Sequence, residues 1–313
     1  MALVRPARTV ADVEAWGIAS RVPARAGDFQ VKNSLAMAYP TYDALLASED
    51  IDAVYNPLPN GLHCEWTIRA LEAGKHVLCE KPFASNAEEA EQMREAAEKT
   101  DRRLMEAFHY RYHPLAARMR EIVDSGELGE IRHIEASMCF PMLAPTDIRF
   151  DYDLGGGAVM DAGCYAIHMM RFLAGSEPAE VTAARATRAS PDVDRAMEAD
   201  FRFDDGRTGR IRCSLRSPRL LSVYALVRGD RGEMRVLNPV LPQLYHRLTV
   251  KTGQGKRREK VYGESTYTHQ LRVFAALCRD GTPVPTDPAD AIANMRVVDA
   301  VYDRAGMKRR GVA

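Results

Sequence analysis

The sequence predicts two units: an N-terminal α/β unit on a doubly wound parallel sheet, then an α+β unit on a large open antiparallel sheet. Three observations predict this. The chain has 313 residues, and at roughly 100 to 200 residues per domain that length suits two domains. Its first third alternates short apolar runs with helical patterns, as parallel strands joined by crossover helices do. Beyond residue 130 the alternation becomes strand-like, with the turn signals Asp204-Asp205-Gly206 and Gly229-Asp230-Arg231-Gly232, which suit an antiparallel sheet.

Taken in order, Trp16 to Ser20 reads as a strand that ends in a polar loop, Arg21 to Asp28. Thr41 to Asp50 is a short amphipathic helix with Tyr42, Leu45 and Leu46 on one side, and Ile51 to Pro59 is a strand plus loop. His63 to Gly74 is a helix that closes on Gly74, where a left-handed cap is expected, and Lys75 to Pro82 is the next strand. Ser85 or Asn86 caps a helix running to Thr100 with acidic residues in its first turn. Arg102 to Arg111 is one more strand leading to a loop. In the second unit, Ile131 to Phe140, Ala179 to Ala189, Met197 to Ser217, Leu221 to Pro239 and Gln243 to Thr252 read as strands. One helical stretch, 155 to 175, interrupts them, and two helices, 268 to 281 and 287 to 306, follow. The basic run Lys256 to Lys260 reads as a solvated hairpin loop.

Composition narrows the function. The 43 basic residues balance 43 acidic ones, so no net field holds a polyanion and nucleic acid is not the expected partner. No stretch approaches the roughly 18 uncharged apolar residues of a membrane span, and the start of the chain has no long apolar signal core, so a cytoplasmic location is expected. Cysteines at 64, 79, 139, 164, 213 and 278 form no CxxC pair and read as reduced, partly buried thiols.

Four clusters sit where a strand gives way to a loop or a helix begins, the address of a ligand site on such a sheet. Glu80-Lys81-Pro82 follows the apolar run HVLC. Apolar walls there would lower the Lys81 pKa towards that of a general acid or base, while the alternative is a surface lysine paired with Glu80. Asn56 to Asn60 with His63 is a proline-stiffened loop whose amides suit ribose hydroxyls or a carboxamide; otherwise it is a rigid turn before a helix. Gly155-Gly156-Gly157 leads to Asp161, Tyr165 and His168. The glycines permit close backbone approach, free amides favour a polar or anionic group, and Asp161 and Tyr165, four apart, share a helical face; His168 either shares that face or is a structural residue. Ser20-Arg21 places a hydroxyl and a guanidinium where a dinucleotide's adenosine ribose lies, and arginine suits a 2′-phosphate; a solvent-facing arginine is the alternative. His109 and His113 are four apart, but Pro114 spoils a helical ligand pair and no third ligand is evident, so no metal is expected. No GxSxG elbow is present.

Taken together, AGKHVLCEKP (73 to 82), NPLPNGLH (56 to 63) and GGGAVMDAGCY (155 to 165) resemble the glucose-fructose oxidoreductase, inositol dehydrogenase and MocA (Gfo/Idh/MocA) family of NAD(P)-dependent oxidoreductases. The nearest branch is that of dimeric trans-dihydrodiol dehydrogenases and NADP-dependent xylose dehydrogenases. The resemblance implies a Rossmann-like domain over 1 to 108 and a substrate-binding and oligomerisation domain over 109 to 313, whose final helix, 288 to 306, packs back on the first. It implies Lys81, Tyr165 and Asp161 as catalytic residues, and a cofactor site of Ser20, Arg21, Asn56, Pro57, Leu58, Asn60, His63, Glu80, Lys81 and Arg111. NADP is the implied cofactor, with NAD as the alternative. The implied reaction moves a hydride between nicotinamide and a carbinol carbon of a sugar or cyclic diol while Lys81 and Tyr165 relay the hydroxyl proton. A homodimer or larger homo-oligomer through the second sheet is implied as well. The family opens on a strand and a G-x-G-x-x-G/A turn that cradles the pyrophosphate. Neither occurs in this sequence, and Met1 to Arg5 resembles the helix start after that turn, so the first sheet is expected to lack its central strand. A non-catalytic sugar-binding relative, or a reductase of cyclic imines or tetrapyrroles, are the competing functions.

Overall fold

The computed structural model describes the chain apart from residues 1, 143, 145, 146, 218 to 220, 312 and 313. The first unit is five short parallel strands with helices between them: α1 (Val4–Ala7), β1 (Gly17–Ala19), α2 (Pro23–Asn33), β2 (Met37–Tyr39), α3 (Tyr42–Leu46), β3 (Ala53–Asn56), α4 (His63–Glu72), β4 (His76–Cys79), α5 (Ala87–Thr100) and β5 (Leu104–Glu106). The strands form two separate ladders, β1-β2 and β3-β4-β5, all pairs parallel. Residues 21 to 28 are not a loop throughout: α2 begins at Pro23, whose fixed φ and missing N–H suit a first helical turn. The strand expected over 102 to 111 stops at Glu106, and residues 109 to 112 form a 3-10 turn.

Local chemistry explains the boundaries. Asn86, not Ser85, caps α5, its side chain accepting from the Glu89 N–H at 2.9 Å, while the Glu89 carboxylate accepts from the N–H of Ser85, the residue before the cap, at 2.8 Å. Gly74 takes φ +78° just past α4, the left-handed turn that glycine adopts without a Cβ penalty.

Helix α6 (Pro114–Asp124) leads to β6 (Ile131–Cys139). After the helical segment come β7 (Glu180–Ser190), β8 (Val193–Arg202), β9 (Thr208–Ser214), β10 (Ser222–Gly229), β11 (Gly232–Leu237), β12 (Arg247–Thr252) and β13 (Gly255–Glu259). They form one eight-stranded sheet in the order β13-β12-β11-β10-β6-β9-β8-β7. The sheet is mixed rather than wholly antiparallel, because β6 and β9, now neighbours, run parallel. The basic run at 256 to 260 lies mostly in the edge strand β13, where Arg257 pairs with Glu127 and Glu259. Placing charged side chains on an edge strand discourages pairing with another chain.

A single π turn (Val159–Gly163) runs into α7 (Cys164–Ala174), which covers one sheet face. Ile167, Met170 and Leu173 bury against Ile134, Ala136, Met197, Phe201, Ile211 and Val227. Helices α8 (Thr266–Asp280) and α9 (Pro288–Arg304) complete the chain's described elements. Leu271, Phe274 and Leu277 of α8 pack with Leu78, Met105, Ala7 and Val10. Helix α9 returns to α5, Asp299 accepting from the Ala87 N–H at 3.0 Å and Arg296 pairing with Glu91. Among the described residues no helix is long and apolar enough to cross a membrane, and the cysteines form no disulfide.

The entry to α7 is held from below by a buried ion pair. Arg310, fully buried, donates to Gly156 O at 2.6 Å and Lys308 O at 2.7 Å, and pairs with Asp194 at 3.1 Å. Asp194 accepts in turn from the Val159 N–H at 2.8 Å and the Tyr302 hydroxyl at 2.9 Å. Gly157 takes φ +139°, and a Cβ there would strike Asp194, lie 2.7 Å from the Tyr302 oxygen and 2.8 Å from Arg310. Removing one partner of such a pair leaves an uncompensated buried charge, so Asp194→Ala is expected to lower the unfolding free energy by about 3–5 kcal/mol in urea titrations. An effect below about 1 kcal/mol would show that the pair does not hold this loop.

Candidate active site

The site assembles from strand ends and the segment before α7. Lys81 follows β4 by two residues, and its ammonium donates to Asp161 twice, at 2.8 Å to the backbone oxygen and 3.0 Å to Oδ1. The same Nζ lies 5.1 Å from the centroid of the Tyr165 ring. Lys81 is thus brought together with Asp161 and Tyr165, 80 and more residues further along the chain. Arg149, from the 3-10 turn Ile148–Phe150, takes the other carboxylate oxygen of Asp161 at 3.0 Å.

Charge sets the protonation states. Burial alone would lower the Lys81 pKa, as an apolar strand end suggests, but Asp161, Cys164 and Glu80 outweigh it and hold the ammonium above its usual range. The expected downward shift is therefore reversed. Burial raises the Asp161 carboxyl, but Lys81 and Arg149 bring it below the usual carboxylate range. Burial, with Glu80 next, pushes the Tyr165 phenol well upward, so it is protonated at neutral pH.

Glu80 is not the partner of the Lys81 ammonium. Its Oε1 accepts from the Tyr55 hydroxyl at 2.5 Å and its Oε2 from the Lys81 backbone N–H at 3.2 Å, bracing the turn that carries Lys81. His63 is fully buried; its Nδ1 lies 2.8 Å from Pro82 O and its Nε2 2.8 Å from Leu58 O. It ties the loop after β3 to the loop after β4. Asn56 is buried too, donating to His63 O at 3.3 Å and Thr67 Oγ1 at 3.1 Å and accepting from the Leu58 N–H at 3.3 Å. Its amide shapes the loop instead of standing free for a ribose. Asn60 donates to Gly155 O at 3.0 Å, and the Gly61 N–H to Leu154 O at 3.0 Å, so this loop rests on the glycine segment. Pro57 is exposed and Leu58 half-buried, the surface this loop offers to a ligand.

Ser20 and Arg21 occupy the turn between β1 and α2; Ser20 Oγ accepts from the Val22 N–H at 3.2 Å. Arg21 is exposed. Other expectations are corrected. Arg111 stacks on the Phe172 ring of α7 at 3.9 Å. His168 joins a buried network instead of the Asp161 and Tyr165 face: Nδ1 is 2.5 Å from the Tyr110 hydroxyl and Nε2 3.0 Å from Asp290. The three glycine amides are occupied, donating to Tyr152, Asp151 and Arg149 carbonyls at 2.9, 2.7 and 2.8 Å, so they form no anion cradle.

Sequence reasoning passed over Arg149, His109 and Glu106. Arg149 lies in no motif and arrives through the loop before the glycines. His109, considered only as a metal ligand, sits 3.1 Å from the Tyr165 hydroxyl through Nε2. Glu106 is fully buried at the end of β5, and burial, followed by Asp290, raises its carboxyl well above the usual range.

The profile "Oxidoreductase family, NAD-binding Rossmann fold" matches residues 3 to 108, and "GFO/IDH/MocA C-terminal domain" matches 116 to 235. The chain is 36% identical over 306 residues to D-xylose 1-dehydrogenase (NADP(+)) 2 of Haloferax volcanii, covering 96% of this chain and 93% of that protein. It is 30% identical over 220 residues to the trans-1,2-dihydrobenzene-1,2-diol dehydrogenase of Danio rerio, 70% of this chain and 65% of that one. A crystal structure of a 3-ketoreductase from Actinomadura kijaniata in complex with NADP and TDP-benzene superposes with a TM-score of 0.90 at 29% identity, covering 96% of this chain and 92% of the other.

Asp161 is what keeps Lys81 charged, so Asp161→Asn leaves only burial and the weaker Glu80 and Cys164 fields on the ammonium. Its titration, followed by NMR of the labelled Nζ, is expected to move down in pH. The wild-type pair adds stability that is full below the ordinary lysine pKa and lost as pH climbs through the raised one. An unmoved Lys81 titration would show that Asp161 is not the source of the shift.

Proposed function

This chain belongs to the Gfo/Idh/MocA family of oxidoreductases, and we propose that it is a cytoplasmic NADP-dependent enzyme moving a hydride between the nicotinamide and a hydroxyl-bearing carbon of a sugar or cyclic diol. The observation that carries this reading is the Lys81 ammonium, 3.0 Å from Asp161 and 5.1 Å from the Tyr165 ring centre. Residues 1 to 108 would hold the cofactor and residues 109 to 313 the substrate.

The residues after β1 fit the phosphorylated ribose of NADP. Arg21 is exposed and forms no ion pair among the described residues, and it follows β1 beside Ser20, where a guanidinium meets a 2′-phosphate in this sheet type. Pro57 and Leu58 line the end of β3, and Lys81 the end of β4. When bound, the nicotinamide accepts or supplies the hydride. Tyr165, protonated through its burial, holds the proton that joins or leaves the substrate oxygen. Lys81, held cationic by Asp161, stabilises negative charge on that oxygen, and Arg149 fixes the carboxylate that orients Lys81. A positioned proton donor of this kind contributes roughly 10²–10⁴ in rate.

Kinetics test the reading directly. With NADP and a panel of pyranoses and cyclic diols, Lys81→Ala and Tyr165→Phe are each expected to lower kcat by about 10²-fold or more. In the same assay Arg21→Ala raises the KM for NADP while leaving that for NAD. Full activity of both Lys81→Ala and Tyr165→Phe would overturn the assignment.

The face of the large sheet away from α7 carries Arg212 paired with Glu135 and Glu198, Arg210 paired with Asp200, and Tyr224 hydrogen-bonded to Glu135. We propose a homodimer formed through that open face, as the family resemblance implies. Light scattering is expected to return the mass of two chains; a one-chain mass at micromolar concentration would refute the dimer.

A further inference from the structure

We infer that His109 is a positioning residue for Tyr165: its Nε2–H donates to the phenol oxygen, leaving the Tyr165 O–H free for the substrate oxygen and holding the phenolate once that proton has left. The inference rests on the reading of Tyr165 as the proton-transferring group.

The geometry of the pair comes from the chain's course after β5. His109 opens the 3-10 turn that ends in Tyr112, and its N–H bonds to Ala107 O at 2.9 Å, which turns the ring inward. The ring is only 3% exposed. It lies 4.2 Å from the Tyr267 ring, tilted by 37°. Its Nε2 is 3.1 Å from the Tyr165 hydroxyl, while its Nδ1 is buried and has no partner.

A histidine with one paired and one unpaired nitrogen has a preferred tautomer. Burial, with the Lys81 charge behind it, holds the His109 pKa down to about 3, so the ring is neutral and carries one N–H. With the hydrogen on Nδ1, a buried donor would face no acceptor. With the hydrogen on Nε2, only a lone pair is left unmatched. Orphaned buried N–H groups are the rarer of the two in folded proteins, and the bond made by one ring nitrogen sets the state of the other. Nε2 therefore carries the hydrogen and Tyr165 accepts.

The consequence is chemical. When a substrate carbonyl oxygen takes the proton, the Tyr165 O–H bond breaks and the negative charge left on the phenolate meets the Nε2–H. In the opposite direction the phenolate takes the proton of the substrate hydroxyl, and the His109 bond is unchanged throughout. The titratable and charged groups facing this pair are Lys81 and Glu80 from the end of β4, Asp161 from the π turn, Cys164 from the start of α7, and Tyr267 from α8. Of these only Lys81 brings positive charge, and among the described residues His109 is the hydrogen-bond partner on the phenol oxygen, a neutral one.

Two measurements on the full chain test this. Long-range proton–nitrogen NMR of the histidine-labelled, unmutated protein is expected to show a protonated Nε2 and an unprotonated Nδ1 for His109; the reverse pattern overturns the inference. In the oxidising direction, the pH profile of kcat for His109→Phe is expected to shift its rising limb upward by about one unit, a tenfold loss below it, with the KM for NADP unchanged. His109→Gln, whose amide can donate, keeps the wild-type limb. A uniform drop in kcat with the limb unmoved in His109→Phe overturns the role, because lost packing alone would give that result. Full activity of Tyr165→Phe defeats the Tyr165 reading and the role of His109 with it, whereas an inactive Tyr165→Phe beside an Nδ1–H tautomer defeats the His109 inference alone.

Discussion

The arrangement depends on one ion pair between distant segments, Lys81 to Asp161. An ammonium at the end of a buried strand is disfavoured by burial; here the carboxylate that compensates it comes from the segment entering α7. The attraction does two things at once. It keeps Lys81 charged, and it presses the end of β4 against the start of α7, which brings the Tyr165 ring within reach. Arg149 completes the balance by holding the second oxygen of Asp161, so the carboxylate cannot rotate away from Lys81 without losing a partner.

Around that pair, the loops are positioned by groups that do no chemistry themselves. His63 joins the carbonyls of Leu58 and Pro82, Asn60 reaches Gly155, and Glu80 clamps Tyr55 to the Lys81 turn. Asn60 and Glu80 make these hydrogen bonds inside the protein, and the neutral His63 ring, wedged between two carbonyls, donates to one of them, which is how loops at strand ends acquire a single shape. Several residues first read as hands for a ligand are better understood as the braces of those hands.

What the sequence made legible follows from what local patterns can carry. Apolar alternation and cap residues located most strands and helices, because periodicity and capping are local physics: Asn86, Gly74 and Asp287 mark helix ends in the residues themselves. That Lys81, Asp161 and Tyr165 form one cluster was legible because they sit beside short motifs. The parallel β6-β9 pair was not, since strand order is decided by packing across the whole sheet. Nor was the direction of the Lys81 shift, which depends on a carboxylate that only folding brings near. Arg149 and His109 carry no local signature; one sits in an irregular loop and the other's importance is a single distance to Tyr165.

The ion pair beneath α7 has a temporal consequence. Gly156 and the arginine that holds it are 154 residues apart, and ribosomes release a chain from its first residue onward. While the polypeptide is being made, the segment bearing Asp161 and Tyr165 leaves the exit tunnel long before Arg310 does, and until then its glycine turn lacks the bond from that guanidinium. That brace is thus a late event in biogenesis, and a nascent chain that stops short of Arg310 carries Asp161 and Tyr165 before the ion pair that supports their turn.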